Sequence, residues 1–189
     1  MTKTVRLRES LKLVAFISAM LCGFAQVTHA QNDLDSVGRV WPATGVTAPK
    51  VQHVLEVYVQ ILPAVEIGPS AHGTRRFIPI TGGRFVGEGI KGEVIPGGAD
   101  WQLERADGGL ELTAIYALRT DDGAVIQVEN LGLLIPDAEA PNGRYLASTP
   151  RFHAPAGKYD WMNKAIFTGT VTPVPDGSAV IIRIFKLLS

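Results

Sequence analysis

From residue 51 onward the apolar side chains of this chain recur at every second position, not at every third or fourth. In Leu55-Glu56-Val57-Tyr58-Val59-Gln60-Ile61 the residues 55, 57, 59 and 61 share one face, and Glu56, Tyr58 and Gln60 share the other. A period of two is the signature of a strand with two unlike faces. The pattern returns in 76–80, 83–86, 90–95, 101–105, 110–120, 124–135, 145–153, 165–174 and 179–187. Between these runs stand Gly82-Gly83, Pro96-Gly97-Gly98, Asp107-Gly108-Gly109, Asp121-Asp122-Gly123, Asn142-Gly143 and Pro175-Asp176-Gly177. Glycine supplies the backbone geometry of tight turns, and Asp and Asn bond back onto their own backbone. Many short strands at this spacing predict an all-β sandwich or barrel. Long strands joined by tight hairpins favour an up-and-down meander that closes on itself, because closure removes exposed edges. The expectation is a closed antiparallel β-barrel of about eight or more strands. No segment reads as an amphipathic helix of ten residues; one short helical turn is expected around Lys158–Lys164.

Ahead of this domain the pattern changes. Lys3, Arg6, Arg8 and Lys12 precede an apolar run from Leu13 to Ala25, which gives way to Val27-Thr28-His29-Ala30 and then to polar residues. A basic head, an apolar middle and a small residue at the cut site predict a secretory signal over residues 1–30, cleaved near Ala30. The apolar run falls short of the roughly 20 residues a membrane span needs. Residues 31–50 read as a flexible leader, with Trp41 as a docking point, and residues 51–189 as the barrel. The location expected is the periplasm or the medium, with no membrane attachment after cleavage. Cys22, the chain's one cysteine, lies inside the apolar run. Its removal with the signal would leave no thiol for disulfides, nucleophilic attack or thiolate metal sites. Cleavage would also turn a chain of balanced charge, 18 basic and 18 acidic side chains, into a mildly acidic one. No basic stripe offers counterion release along a phosphate backbone, which argues against nucleic acid as a partner.

Several motifs carry a family resemblance. They run from Glu66-Ile67-Gly68-Pro69 through His72-Gly73-Thr74-Arg75-Arg76 to Pro96-Gly97-Gly98-Ala99-Asp100-Trp101 and Leu118-Arg119-Thr120-Asp121-Asp122-Gly123-Ala124. They resume at Thr149-Pro150-Arg151-Phe152 and at Tyr159, Trp161, Asn163 and Phe167. Over residues 51–187 the chain resembles the family known as domain of unknown function 3237. The resemblance implies a closed barrel similar in architecture to allene oxide cyclases and dirigent proteins, some of which run cofactor-free cyclisations. It implies no settled reaction, since fold does not fix function. It also implies self-association through outer faces, with no subunit number. Two departures stand out. Where family members commonly read LDARY, this chain has Leu112-Thr113-Ala114-Ile115-Tyr116. Where a carboxylate usually follows the PRF motif, it has His153. If these positions line the barrel, the pocket is less charged than in relatives.

The candidate chemistry follows from residue types. His153 and Glu93 are the expected acid/base groups, an imidazole because it titrates near neutrality and a carboxylate because burial beside arginine tunes it. Trp101, Tyr116, Tyr159, Trp161 and Asn163 supply aromatic walls and hydrogen bonds suited to a small cyclic or aromatic ligand. Asp100-Trp101 reads either as a rim pair or as a turn residue beside a plug. The scattered histidines and the single Asp121-Asp122-Gly123 lack metal-ligand spacing, so no metal is expected, and no cofactor fingerprint appears. Two readings stand side by side. One is an exported small-molecule-binding barrel acting as a cofactor-independent lyase, isomerase or cyclase. The other is a non-catalytic binding or assembly module.

Overall fold

The structure, a computed structural model, describes residues 48–140 and 142–188. The expected signal and nearly all of the leader fall outside these residues. Nine strands follow one another: β1 Lys50–Ile61, β2 Val65–Ser70, β3 Gly73–Gly87, β4 Ile90–Glu104, β5 Leu110–Thr120, β6 Val125–Pro136, β7 Arg144–His153, β8 Phe167–Pro173 and β9 Ala179–Leu188. All pairings are antiparallel. The sheet runs β1-β9-β8-β7-β6-β5-β4-β3-β2, and β1 also pairs with β3 through Leu55↔Gly87 to Ile61↔Ile80. That second pairing closes an eight-stranded barrel and leaves β2 as an extra strand on the free part of β3. The barrel is therefore the meander the alternation predicts.

Two pairs of expected strands are single long ones. Gly82-Gly83 and Pro96-Gly97-Gly98 do not turn the chain; they are bulges inside β3 and β4. The β3–β4 register skips between Pro79 and Arg84 on β3 and between Glu93 and Ala99 on β4, so the two irregularities face each other as one crease; the β4–β5 register skips there too, between Ile95 and Ala99. Glycine is required there. A Cβ on Gly83, at φ 137°, would sit 1.9 Å from the Tyr58 carbonyl oxygen. Bulges of this kind bend strands and sharpen their twist, which lets long strands wrap a narrow barrel. The strand β2 has no alternation strong enough to read in sequence, because both its faces are largely exposed.

The barrel has unlike ends. At the upper end lie the connections 105–109, 137–143 and 174–178; at the lower end lie 88–89, 121–124 and the long segment 154–166. The lower half is solid. Leu55, Val57, Leu118, Ile126, Val128 and Ile184 have no exposed surface, and Phe85, Phe152 and Phe167 fill between them. The segment 154–166 closes this end with a 3₁₀ turn at Asp160–Lys164, where the helical turn is expected, and buries Met162. Tyr159 is buried beside it and donates to both carboxylate oxygens of Asp122, at 3.0 and 2.9 Å. Asp121-Asp122-Gly123 is thus a hairpin turn that also holds the plug.

Candidate functional site

Strand phase decides which side chains see the interior. In β5, residues 110, 112, 114, 116 and 118 point inward; in β6 the inward set is 126, 128, 130, 132 and 134. The upper half of the barrel holds a cavity of about 300 Å³, walled mostly by Val59, Ile78, Ile80, Leu112, Leu146 and Ile182. Ala114 and Gly132, two small residues set diagonally on neighbouring strands, make room on one wall.

Polar side chains enter this apolar chamber from five adjacent strands. Register places Arg76 of β3 beside Gln102 of β4, and Asp100 of β4 beside Ala114 of β5, itself beside Asn130 of β6. Tyr116 lies one inward step along β5, and Ser148 of β7 pairs with Gly132. Arg76 Nε donates to Gln102 Oε1 at 2.8 Å, and Gln102 Nε2 donates to Asp100 Oδ2 at 2.6 Å. An arginine only donates, so it fixes which end of the Gln102 amide faces Asp100. The second carboxylate oxygen, Asp100 Oδ1, is buried without a hydrogen-bond partner among the described residues. So are Tyr116 Oη, Asn130 Oδ1 and Ser148 Oγ. Buried polar atoms are nearly always satisfied in folded proteins, and leaving one unpaired costs about 1–3 kcal/mol. Four such atoms stand around one cavity.

Burial pushes the Asp100 carboxyl above its ordinary range, against the pull of the Gln102 side chain, the Thr113 backbone amide and the Arg76 charge. Burial likewise pushes the Tyr116 phenol up, so it remains a neutral donor. Arg76 and Asp100 are the charged residues in the lining.

Of the seven residues expected from sequence, Tyr116 lines this cavity, 4% exposed. The structure does not bring the others to it. Glu93 lies on the outer wall, paired with Arg119 at 2.9 Å. His153 is also outside, its Nε2 3.4 Å from Glu129 Oε1. Trp101 points outward, 44% exposed, and stacks on Phe77 with ring centroids 4.9 Å apart. Tyr159 belongs to the lower core. Trp161 packs against Phe167, centroids 6.0 Å apart. Asn163 clasps Ala154, accepting from its amide and donating to its carbonyl, both at 2.9 Å. The Asp100-Trp101 pair divides: Asp100 faces in and Trp101 faces out. Thr113 and Ile115 are out of phase with the interior, and Ile115 is 42% exposed. Their departure from the usual LDARY, like that at His153, therefore alters the outer wall and leaves the cavity's charge untouched.

Sequence reasoning passed over Gln102, Asn130 and Ser148. The readable signal is phase: each is a polar residue in line with inward apolar neighbours, as Asn130 is with Ile126, Val128 and Leu134.

Residues 49–187 match the family described as Protein of unknown function (DUF3237). UPF0311 protein RPA1785 of Rhodopseudomonas palustris is 35% identical over 150 residues, which span 74% of this chain and 97% of that protein. Its crystal structure superposes with a TM-score of 0.70, covering 76% of this chain and all of that one. A β-barrel-like protein of Acinetobacter baumannii is similar at 31% identity and a TM-score of 0.67, with 76% and 100% of the two chains covered. A structure described as an enzyme from Penicillium herquei shares the fold at 23% identity and a TM-score of 0.61, over 77% and 99% of the chains. With the family matched over nearly all of the barrel, this chain belongs to the DUF3237 family of proteins of unknown function.

Proposed function

We propose that this protein is a small-molecule-binding barrel whose site is the upper cavity. The observation that carries this reading is the convergence of Asp100 Oδ1, Tyr116 Oη, Asn130 Oδ1 and Ser148 Oγ, all buried and unpaired, on one apolar chamber. Such a chamber suits a flat, mostly apolar molecule of one or two rings bearing a few hydroxyl or carbonyl groups, at the small end of the range for ligand sites. The order of residues 1–35 supports an exported protein, so the ligand would be one found in the periplasm or the medium. A thermal-melting screen of phenols and cyclic carbonyl compounds tests the reading. A true ligand raises the melting temperature with concentration by mass action, and Asn130→Leu weakens that rise. A screen in which no compound raises it refutes the proposal.

A second reading, an assembly module, is favoured by the outer wall. Register sets Phe77, Trp101, Thr113 and Leu131 in one row, with Ile115 beside it; Trp101, Ile115 and Leu131 are exposed. An apolar stripe on a sheet face fits a second copy of the same chain. Sedimentation of the wild type and of Trp101→Glu tests this directly. An oligomer that dissociates in the variant supports the reading, and a monomeric wild type overturns it. Assembly and ligand binding use opposite faces of the same strands and can coexist.

A further inference from the structure

We infer that the cavity takes an enolisable cyclic carbonyl compound, with Asp100 moving the proton on the carbon next to the carbonyl and Tyr116 holding the enolate oxygen. This rests on the reading of the cavity as a ligand site and adds a chemistry to it.

The argument begins with what the lining can do. Ser148 is a hydroxyl in a lining that holds no histidine and no lysine, so no base stands beside it to activate it as a nucleophile. What the cavity does hold is a carboxyl group and a phenol, each with its reactive oxygen free and buried. These are the two groups that proton transfer beside a carbonyl requires: a base for the carbon-bound proton and a neutral donor for the oxygen on which charge develops. Their placement is specific. Asp100 and Tyr116 sit diagonally across the β4–β5 pair, with only the small side chain of Ala114 at the intervening inward position. Since both oxygens lack partners, they do not bond to each other, and the inferred carbonyl compound lies over Ala114, between them.

The chain from Arg76 through Gln102 makes the arrangement directional. It occupies Asp100 Oδ2, which leaves Oδ1 as the oxygen that exchanges a proton with the chamber. Gln102 is a positioning residue in this scheme, 6% exposed and bonded on both sides. A carboxylate kept in an apolar wall is also a stronger base than one in water.

The step balances without a co-reactant. The carboxylate Oδ1 takes the proton from the carbon, so a C–H bond breaks and an O–H bond forms. The C–H electron pair forms a carbon–carbon double bond and the carbonyl π pair moves onto oxygen, which accepts a hydrogen bond from Tyr116. Asp100 then returns a proton, the one it took or one exchanged with solvent, either to that oxygen or to a conjugated carbon. The net change is an isomerisation.

The test uses the whole mature chain with cyclohexanone, 1-indanone and 1-tetralone in heavy water. Saturation-transfer NMR reads binding, and loss of the signal from the protons next to the carbonyl reads exchange. At least one ketone should bind and exchange on the order of a hundredfold faster than in buffer. Asp100→Asn should still bind it and exchange at the buffer rate. Tyr116→Phe should slow exchange by about tenfold or more. A ketone that binds but exchanges equally in wild type and Asp100→Asn overturns this inference and leaves the binding reading intact. No binding by any of the three, together with no hit among the phenols and carbonyl compounds of the wider screen, removes both. Should Asp100→Asn lose the native melting transition, Tyr116→Phe decides, and an unchanged exchange rate there overturns the inference.

Discussion

The lower and upper halves of this barrel are made from the same strands and have opposite interiors. Along β5, Leu118 lies in a solid core with no exposed surface, while Ala114 and Leu112, two and three inward steps above, face open space. Tyr116 stands at the boundary, packed by its ring and offering its hydroxyl upward as an unpaired group. Below that level every inward position except Thr120 on β5 and β6 is a large apolar side chain; above it come Asn130, Gly132 and Ala114. The lower half is packed solid, and the upper half encloses open space. Sites commonly sit this way, on parts of a fold that a rigid remainder holds in place.

The largest test of this division is a matched pair of truncations. Leu118→Ala should cost about 2–5 kcal/mol in urea denaturation, because its neighbours cannot close the space. Leu134→Ala, on the cavity wall near the upper rim, should cost about 1 kcal/mol, since the space beside it is already open. Equal losses would mean that the upper half is as tightly packed as the lower.

A smaller effect sharpens the contrast from the other side. Ala114→Leu places bulk between Asp100 and Asn130, where the wall is thinnest in side chains. Stability should change by less than about 1.5 kcal/mol, because the added group enters open volume and creates no clash to relieve. Any ligand found in the melting screen should lose its effect on this variant. Retained binding would place the ligand elsewhere.

The smallest effect is one of pH. Burial raises the Asp100 pKa in the folded chain, so above the unfolded-state value the folded form holds a proton that the unfolded form has released. Its contribution is therefore fully present below the unfolded pKa and is lost as pH rises through the folded one. Asp100→Asn removes that loss. The variant should melt higher than wild type at pH 7, with the gap narrowing toward pH 4. A gap that widens in acid would show that the carboxylate is held by its partners more strongly than it is opposed by burial.

The barrel was legible because alternation and turn chemistry act locally. The run from Leu110 to Thr120 shows its inward face without any knowledge of its neighbours. Gly82-Gly83 and Pro96-Gly97-Gly98 misled because a glycine cluster suits a bulge as well as a turn, and only the pairing of β3 with β4 decides between them. The site was harder for a related reason. Glu93, His153 and Trp101 carry the chemistry a reader looks for, yet each lies in the outward phase of its strand. Ser148 and Asn130 carry little on their own and matter because register sets them around a hollow. Tyr116, also chemically apt, faces the cavity because it lies in the inward phase of its strand.

The crease shared by β3 and β4 bears on how such a protein can change over generations. Where the two strands bulge together, the lengths above and below no longer share a continuous register. A substitution at Arg76, Asp100 or Gln102 is thus insulated from the ladder that aligns Phe85, Ile90 and Val94. One polypeptide strand carries two separately adjustable inheritances, so descendants could reline the upper hollow while keeping the ancestral keel.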